Sequence, residues 1–211
     1  MKHSRPEKKR VIVFVSVFTA VLAATIVSYL FCDIPVASWA RKLDRPVLDV
    51  AEIVTSFGRS TFYLVVSFLL YVLFRFFRKR KIYANQSLFV FVSVASSGLF
   101  VDLVKGIAGR YRPIMLFDQG FYGFSFFRTG YEWMSFPSGH AVTAFSLAFA
   151  LSILYPKGRF IFFTAAFVTA TSRVFLTSHF VSDIIVGAYV GVACVYLLKA
   201  FFESRGWALK K

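Results

Sequence analysis

Apolar residues in this chain come in long blocks rather than in amphipathic stripes. Six blocks cover roughly 11–31, 60–77, 82–104, 138–156, 160–178 and 183–202. The first, "VIVFVSVFTAVLAATIVSYLF", runs 21 residues without a charge. At about 1.5 Å per residue that is enough to cross a hydrocarbon core of about 30 Å. No small-residue cleavage pattern follows it in "YLFCDIP", so it is expected to be a retained span rather than a signal peptide. The later blocks are shorter between charges: 13 uncharged residues precede Arg173, and 15 separate Asp183 from Lys199. Helices of that kind carry polar groups at their ends.

The pattern predicts an all-α integral membrane protein, a six-transmembrane-helix bundle over 11–204. Basic tails, 1–10 and 205–211, flank it. Two polar stretches interrupt it at length. Residues 32–59 are expected to form one or two short amphipathic helices at the interface, with Trp39 as a headgroup anchor. Residues 105–137 mix Gly, Pro, aromatic and charged residues, the composition of a functional loop.

Composition agrees: 58% of the 211 residues are hydrophobic and 19% aromatic, against about 45–50% apolar in a soluble domain. The net charge of +15 raises the question of nucleic acid, and its distribution argues against it. With the N-terminus inside, the pieces 1–10, 75–81, 157–159 and 199–211 face the cytoplasm. They hold 16 of the 25 Lys and Arg and only two acids, Glu7 and Glu203. The other side nearly balances, with nine cations and eight acids. This asymmetry predicts cytoplasmic termini beside anionic membrane lipids, and no nucleic-acid partner. His3 belongs to the solvated N-terminal tail. Cys32 and Cys194 have no paired or metal-like spacing, and Cys194 reads as a small apolar side chain.

The same topology brings three polar clusters to the outer face: "KGIAGRYRP" (105–113), "PSGH" (137–140) and "SRVFLTSHFVSD" (172–183). Lys105, Arg112 and Arg173 supply cations; arginine's planar fork suits phosphate oxygens and lysine adds a point charge. Pro137, Ser138 and Gly139 open a helix whose free amides can bind an anion. His179 and Asp183 are four apart, close enough for Asp183 to fix the histidine tautomer and leave the other ring nitrogen free to attack phosphorus. His140 stands on another segment and is placed to protonate a leaving oxygen and then to activate water. His140, His179 and Asp183 could hold zinc in principle, but three cations beside them oppose it, so no metal is expected.

These residues carry a resemblance. The sequence resembles the type 2 phosphatidic acid phosphatase superfamily, whose signature is K-x6-RP, PSGH and SR-x5-H-x3-D. Lys105 with Arg112-Pro113, Pro137 to His140, and Ser172-Arg173 with His179 and Asp183 fill every position at the required spacing. The resemblance implies a lipid phosphate phosphatase working through a phosphohistidine. His179 would be the nucleophile, Asp183 its orienting acid and His140 the general acid and base. Lys105, Arg112, Arg173, Ser138 and the Gly139 amide would hold the phosphoryl group, without metal or other cofactor. Six spans argue against the soluble acid phosphatase and vanadium haloperoxidase branches. The implied place is the cytoplasmic membrane, with the site facing outward. Undecaprenyl diphosphate, phosphatidylglycerophosphate, phosphatidic acid and lipid A phosphate are all eligible substrates.

Two rivals keep the site: a lipid phosphotransferase that passes the phosphoryl group to another lipid, and a non-enzymatic phospholipid transporter. Asp102, three before Lys105, is either a functional carboxylate or a structural partner of that lysine. Arg110, Asp118, Arg128 and Glu132 are substrate contacts or solvated loop residues. The small-xxx-small run "GAYVG" (187–191) predicts close helix packing. Oligomeric state is not legible.

Overall fold

The computed structural model describes residues 5–209, and side chains from Ile12 onward. The helices are α1 (Arg5–Val27), α2 (Asp33–Ala40), α3 (Arg45–Ser56), α4 (Ser60–Val72), α5 (Lys81–Ala108), α6 (Pro113–Gln119), α7 (Gly139–Leu154), α8 (Arg159–Phe175) and α9 (Val181–Ser204). The chain is an all-α membrane protein. Four helical stretches are long and apolar enough to cross a bilayer: Ile12–Ala40, Arg45–Phe77, Lys81–Ala108 and Val181–Ser204. At 16 and 17 residues, α7 and α8 are shorter, as the charges bounding their sequence blocks require.

The first span departs from expectation. The short helix expected after residue 31 is not separate from the span: a π turn, Ser28–Cys32, joins α1 to α2 without a break. The Asp33 N–H donates to the Ser28 carbonyl, the i→i+5 bond of that turn. Such a wide turn inserts one residue into the helical register, a device often found near functional sites. The chain then continues as α3, held on its exposed face by Arg45 Nε to Asp49 at 2.8 Å.

In the bundle α7 is central and packs against α9, α8 and α5. Glycine sets the α7–α9 approach. A Cβ on Gly187 would stand 2.8 Å from the Ser138 carbonyl oxygen, and one on Gly191 would stand 2.7 Å from that of Val142. The run 187–191 is therefore a packing surface, as its spacing predicts. Small residues Ala144, Ala148 and Ala166 do the same between α7 and α8. At the far end, Phe89, Ala150, Leu154, Val195, Phe202 and Leu209 form the main apolar cluster. The segment after α9 folds back onto it. Gln86 donates to the Leu209 carbonyl at 2.8 Å, and the Trp207 ring meets Phe202 edge-on at 5.0 Å. The remainder of the two predicted tails, 1–4 and 210–211, lies outside the described residues.

Candidate active site

The site lies where α5 and α8 end and α7 and α9 begin. Gly109 closes α5 in a left-handed conformation, its N–H bonded to the Lys105 carbonyl. A Cβ there would collide with the Ser125 carbonyl, so only glycine lets the loop fold back so tightly. Residues 123–127 then run against 107–111 through Tyr111 N–H to Gly123 O (3.1 Å), Ser125 N–H to Gly109 O (2.8 Å) and Phe127 N–H to Ile107 O (3.0 Å). Further along, Arg112 N–H donates to Glu132 O (2.8 Å) and Ser135 N–H to Arg110 O (3.1 Å). The loop is thus a fixed wall of the site.

That wall aims Arg112. Its guanidinium donates to the carbonyls of Tyr131 (2.7 Å) and Ser178 (2.8 Å) and lies over the Tyr131 ring at 4.1 Å. Arg112 Nη1 stands 3.5 Å from His179 Nε2. Arg173 comes from the last turn of α8 and donates to Thr55 Oγ1 of α3 at 2.9 Å; its buried Nε has no protein partner. Lys105 reaches the start of α7, where its Nζ would be 3.3 Å from a Cβ on Gly139. Ser138 is the N-cap of α7, its hydroxyl accepting from the Ala141 amide at 3.5 Å, and its own N–H donates to the Asp183 carbonyl at 3.1 Å. All three motifs therefore meet.

His179 and Asp183 pair, although not as neighbours on a helix. His179 lies in the turn before α9, and Phe180 is the extended N-cap. Asp183, three residues into the cap, accepts from the Phe180 N–H at 2.8 Å, from Ser135 Oγ at 2.6 Å and faces His179 Nδ1 at 3.5 Å. Both residues are buried, at 2% and 0% exposure. Burial pushes the His179 imidazole down to about 4; Asp183 opposes this, and the Arg112 and Arg173 charges add to it. The ring is neutral at physiological pH, with Nδ1 backed by a carboxylate and Nε2 turned toward Arg112. On the other side His140 packs on Gly58, where a Cβ would come within 2.5 Å of the ring carbon Cδ2.

Two recesses are relevant, of which one contains Arg112 and the other is walled by neighbours of Thr55 and by α7 and α8. A polar pocket of about 310 Å³ runs outward from Arg112 and is lined by Arg41, Phe117, Asp118, Tyr131 and Thr177. An apolar groove of about 710 Å³ lies between α3, α7 and α8, with Val54, Phe57, Ala144, Ala148, Phe162 and Thr169 in its walls. Residues 86–207 match the PAP2 superfamily. The chain belongs to that superfamily. This PAP2 protein is 33% identical over 215 residues to the lipid A 1-phosphatase of Rhizobium johnstonii, covering 90% of this chain and 85% of the relative. It is 32% identical over 208 residues to that of Rhizobium etli, covering 89% and 88%. Its fold is similar to the transmembrane PAP2-type phosphatidylglycerolphosphate phosphatase of Bacillus subtilis, with TM-score 0.63 and 21% identity over 90% of this chain and 96% of that one. Aquifex aeolicus LpxE gives TM-score 0.59 and 22% identity, over 80% and 94%. The chain is a multi-pass membrane phosphatase of lipid phosphates.

Several residues stand elsewhere than the sequence suggests. Arg110 is not on the loop surface but 1% exposed beneath the site. Its Nη1 donates to Asp183 Oδ1 and its Nη2 to Asp33 Oδ2, both at 2.6 Å. The two carboxylates outweigh the cost of burial and hold its charge firmly. Asp33 carries only a weak sequence signal, an acid two positions beyond an uncharged 21-residue run. Arg59, at the start of α4, is a further cation within electrostatic reach of His140 and Arg173. Asp102 is exposed and makes no ion pair with Lys105 within 4 Å among the described residues. Asp118 and Arg128 are exposed. Glu132 joins the wall through its backbone carbonyl, and Arg128 lies 5.7 Å over the Trp133 ring. Among the described residues no group of three or more His, Cys, Asp or Glu gathers to hold a metal ion.

Proposed function

We propose that this phosphatase hydrolyses a lipid A-type glycolipid phosphate through a phosphohistidine on His179, at the outer face of the cytoplasmic membrane. The carrying observation is the orientation of His179: Nδ1 toward Asp183 and Nε2 toward Arg112. Nε2 attacks phosphorus and the bond from phosphorus to the lipid oxygen breaks. His140 gives that oxygen its proton. Water then attacks phosphorus, His140 takes the proton, the N–P bond breaks and inorganic phosphate leaves. Lys105, Arg112, Arg173, the Ser138 cap and the Gly139 amide hold the phosphoryl oxygens, and the cations stabilise charge that grows in the transition state.

The lipid A assignment is supported by the two Rhizobium relatives, which align over about nine-tenths of the chain. The recesses suit such a substrate. Headgroup sugars occupy the polar pocket beside Arg112, and acyl chains lie in the apolar groove, which starts beside Thr55, the partner of Arg173. In this reading α7 and α8 complete six crossings, and the basic inner pieces keep both termini in the cytoplasm.

Purified protein in detergent with EDTA is incubated with lipid A phosphate, phosphatidylglycerophosphate and phosphatidic acid, beside His179→Ala. Fastest release from lipid A phosphate, and none from the variant, is the expected result. Faster release from a glycerophospholipid overturns the substrate assignment. Release only without EDTA, or release by His179→Ala, overturns the mechanism.

A further inference from the structure

We propose that Asp33 and Arg110 are positioning residues of the phosphatase reaction, setting both the charge and the rotation of the carboxylate that backs His179. This rests on the reading of His179 as the nucleophile. Arg110 holds Asp183 by Oδ1 at 2.6 Å, so that Oδ2 is left for Ser135, the Phe180 N–H and His179 Nδ1. Without that bond the carboxylate could turn about its own axis and leave the imidazole.

The charge count explains why a second acid is present. Arg110 and Asp183 alone form a neutral pair. Asp33 takes the other end of the same guanidinium at 2.6 Å, so the cluster carries net −1. Attack through Nε2 makes the His179 ring cationic, and the −1 cluster is the counter-charge already in place. The compartment is buried, with Arg110, Asp33 and Asp183 at most 1% exposed, and the rings of Tyr29, Phe124 and Phe180 lie 5.1, 5.2 and 5.0 Å from the guanidinium carbon. In such surroundings an uncompensated charge is costly and a matched one effective.

Asp33 is itself fully held. Oδ1 accepts from the Ser182 N–H at 2.9 Å and from Ser28 Oγ at 3.2 Å. Oδ2 accepts from the Ser182 hydroxyl and from Arg110, and lies 3.2 Å from Tyr122 Oη, whose one proton has its shorter bond, 2.7 Å, to the Tyr29 carbonyl. Ser182 also takes Arg110 Nη1 at 2.7 Å and is the residue before Asp183. A buried ion cluster is a weak device for stability alone, since apolar side chains of equal volume often serve as well. Its attachment to the carboxylate behind the nucleophile gives it a catalytic purpose.

The test uses full-length protein in detergent and measures kcat, KM, Tm and the Tm shift caused by inorganic phosphate. Asp33→Asn keeps the shape and removes the charge. It is expected to lower kcat by about 10- to 100-fold, as loss of an outer-shell partner of a functional histidine does. KM and the phosphate-induced shift stay within about twofold, and Asp33→Glu recovers part of kcat. A folded Asp33→Asn protein with wild-type kcat overturns the proposal, as does a rise in KM that accounts for the whole loss. Should Asp33→Asn not fold, Ser182→Ala replaces it, because it removes one hydroxyl and leaves every charge. A several-fold fall in kcat at constant KM supports the proposal, and unchanged kcat overturns it. His179→Ala runs alongside: activity in that variant overturns the underlying reading of the nucleophile, whatever Asp33 does.

Discussion

In the proposed mechanism His179 is the residue on which the chemistry turns, and its environment has a pH signature. A nucleophilic imidazole must be neutral. Burial pushes this one down to about 4 from the usual 6.5, so it stays unprotonated well into the acid range. The acid limb of kcat/KM attributable to His179 is therefore expected near pH 4; a limb near 6.5, measured between pH 3.5 and 8, would contradict the burial seen here. Asp183→Asn acts twice. It removes the charge behind His179, lowering kcat about 10²-fold or more. It also leaves Arg110 with one buried partner fewer, a loss of about 3–5 kcal/mol that a melting curve would register. Arg173 behaves differently, because its buried Nε has no protein partner to lose. Wild-type protein should melt higher with inorganic phosphate present, by about 2.7 kcal/mol at a hundredfold excess over Kd. Arg173→Ala should lose most of that gain, and an equal gain in the variant would remove Arg173 from the phosphate site.

Helix by helix, the close approach of α9 to α7 is what places the motifs. Gly191→Val puts side-chain atoms into the Val142 carbonyl and the Ser146 amide, 2.7 and 2.9 Å from its Cβ. An overpacked contact of this kind costs about 1–3 kcal/mol, to be read as a lower Tm in detergent. Gly187→Ala touches the Ser138 carbonyl instead, so it should depress kcat more than stability. The sequence was informative at this scale wherever one element carried its own signal. Uncharged runs mark spans, and Gly187 and Gly191 mark a packing face. The three motifs were legible because phosphoryl transfer needs particular side chains at fixed spacing. The first helix was not. A π turn leaves no compositional trace, so the sequence pattern divides the run from Ile12 to Ala40 into a span ending at residue 31 and a separate short helix. The Arg110 to Asp33 pair spans 77 positions, and only tertiary packing brings it together.

For the whole molecule the proposed orientation, with both termini in the cytoplasm, rests on the charge asymmetry. A cysteine-free background with Asp118→Cys or Lys157→Cys tests it. A membrane-impermeant maleimide should label position 118 in intact cells and position 157 only after permeabilisation; the reverse pattern would invert the topology. The same reagent applied to Arg128→Cys, on the exposed part of the loop, should agree with position 118.

The bond from Asp33 to the Ser182 amide joins the first helix to the last across 149 residues. Synthesis runs in one direction, so Asp33 must wait for its guanidinium until Arg110 has been made, and both must wait for the start of α9. Until then a carboxylate sits within an apolar helical stretch with only Ser28 of its final partners at hand. A nascent chain released early carries PSGH, Lys105 and Arg112 but neither His179 nor the carboxylate behind it. On the proposed reading of His179, the full set of groups comes together only once the chain has been made as far as the start of α9.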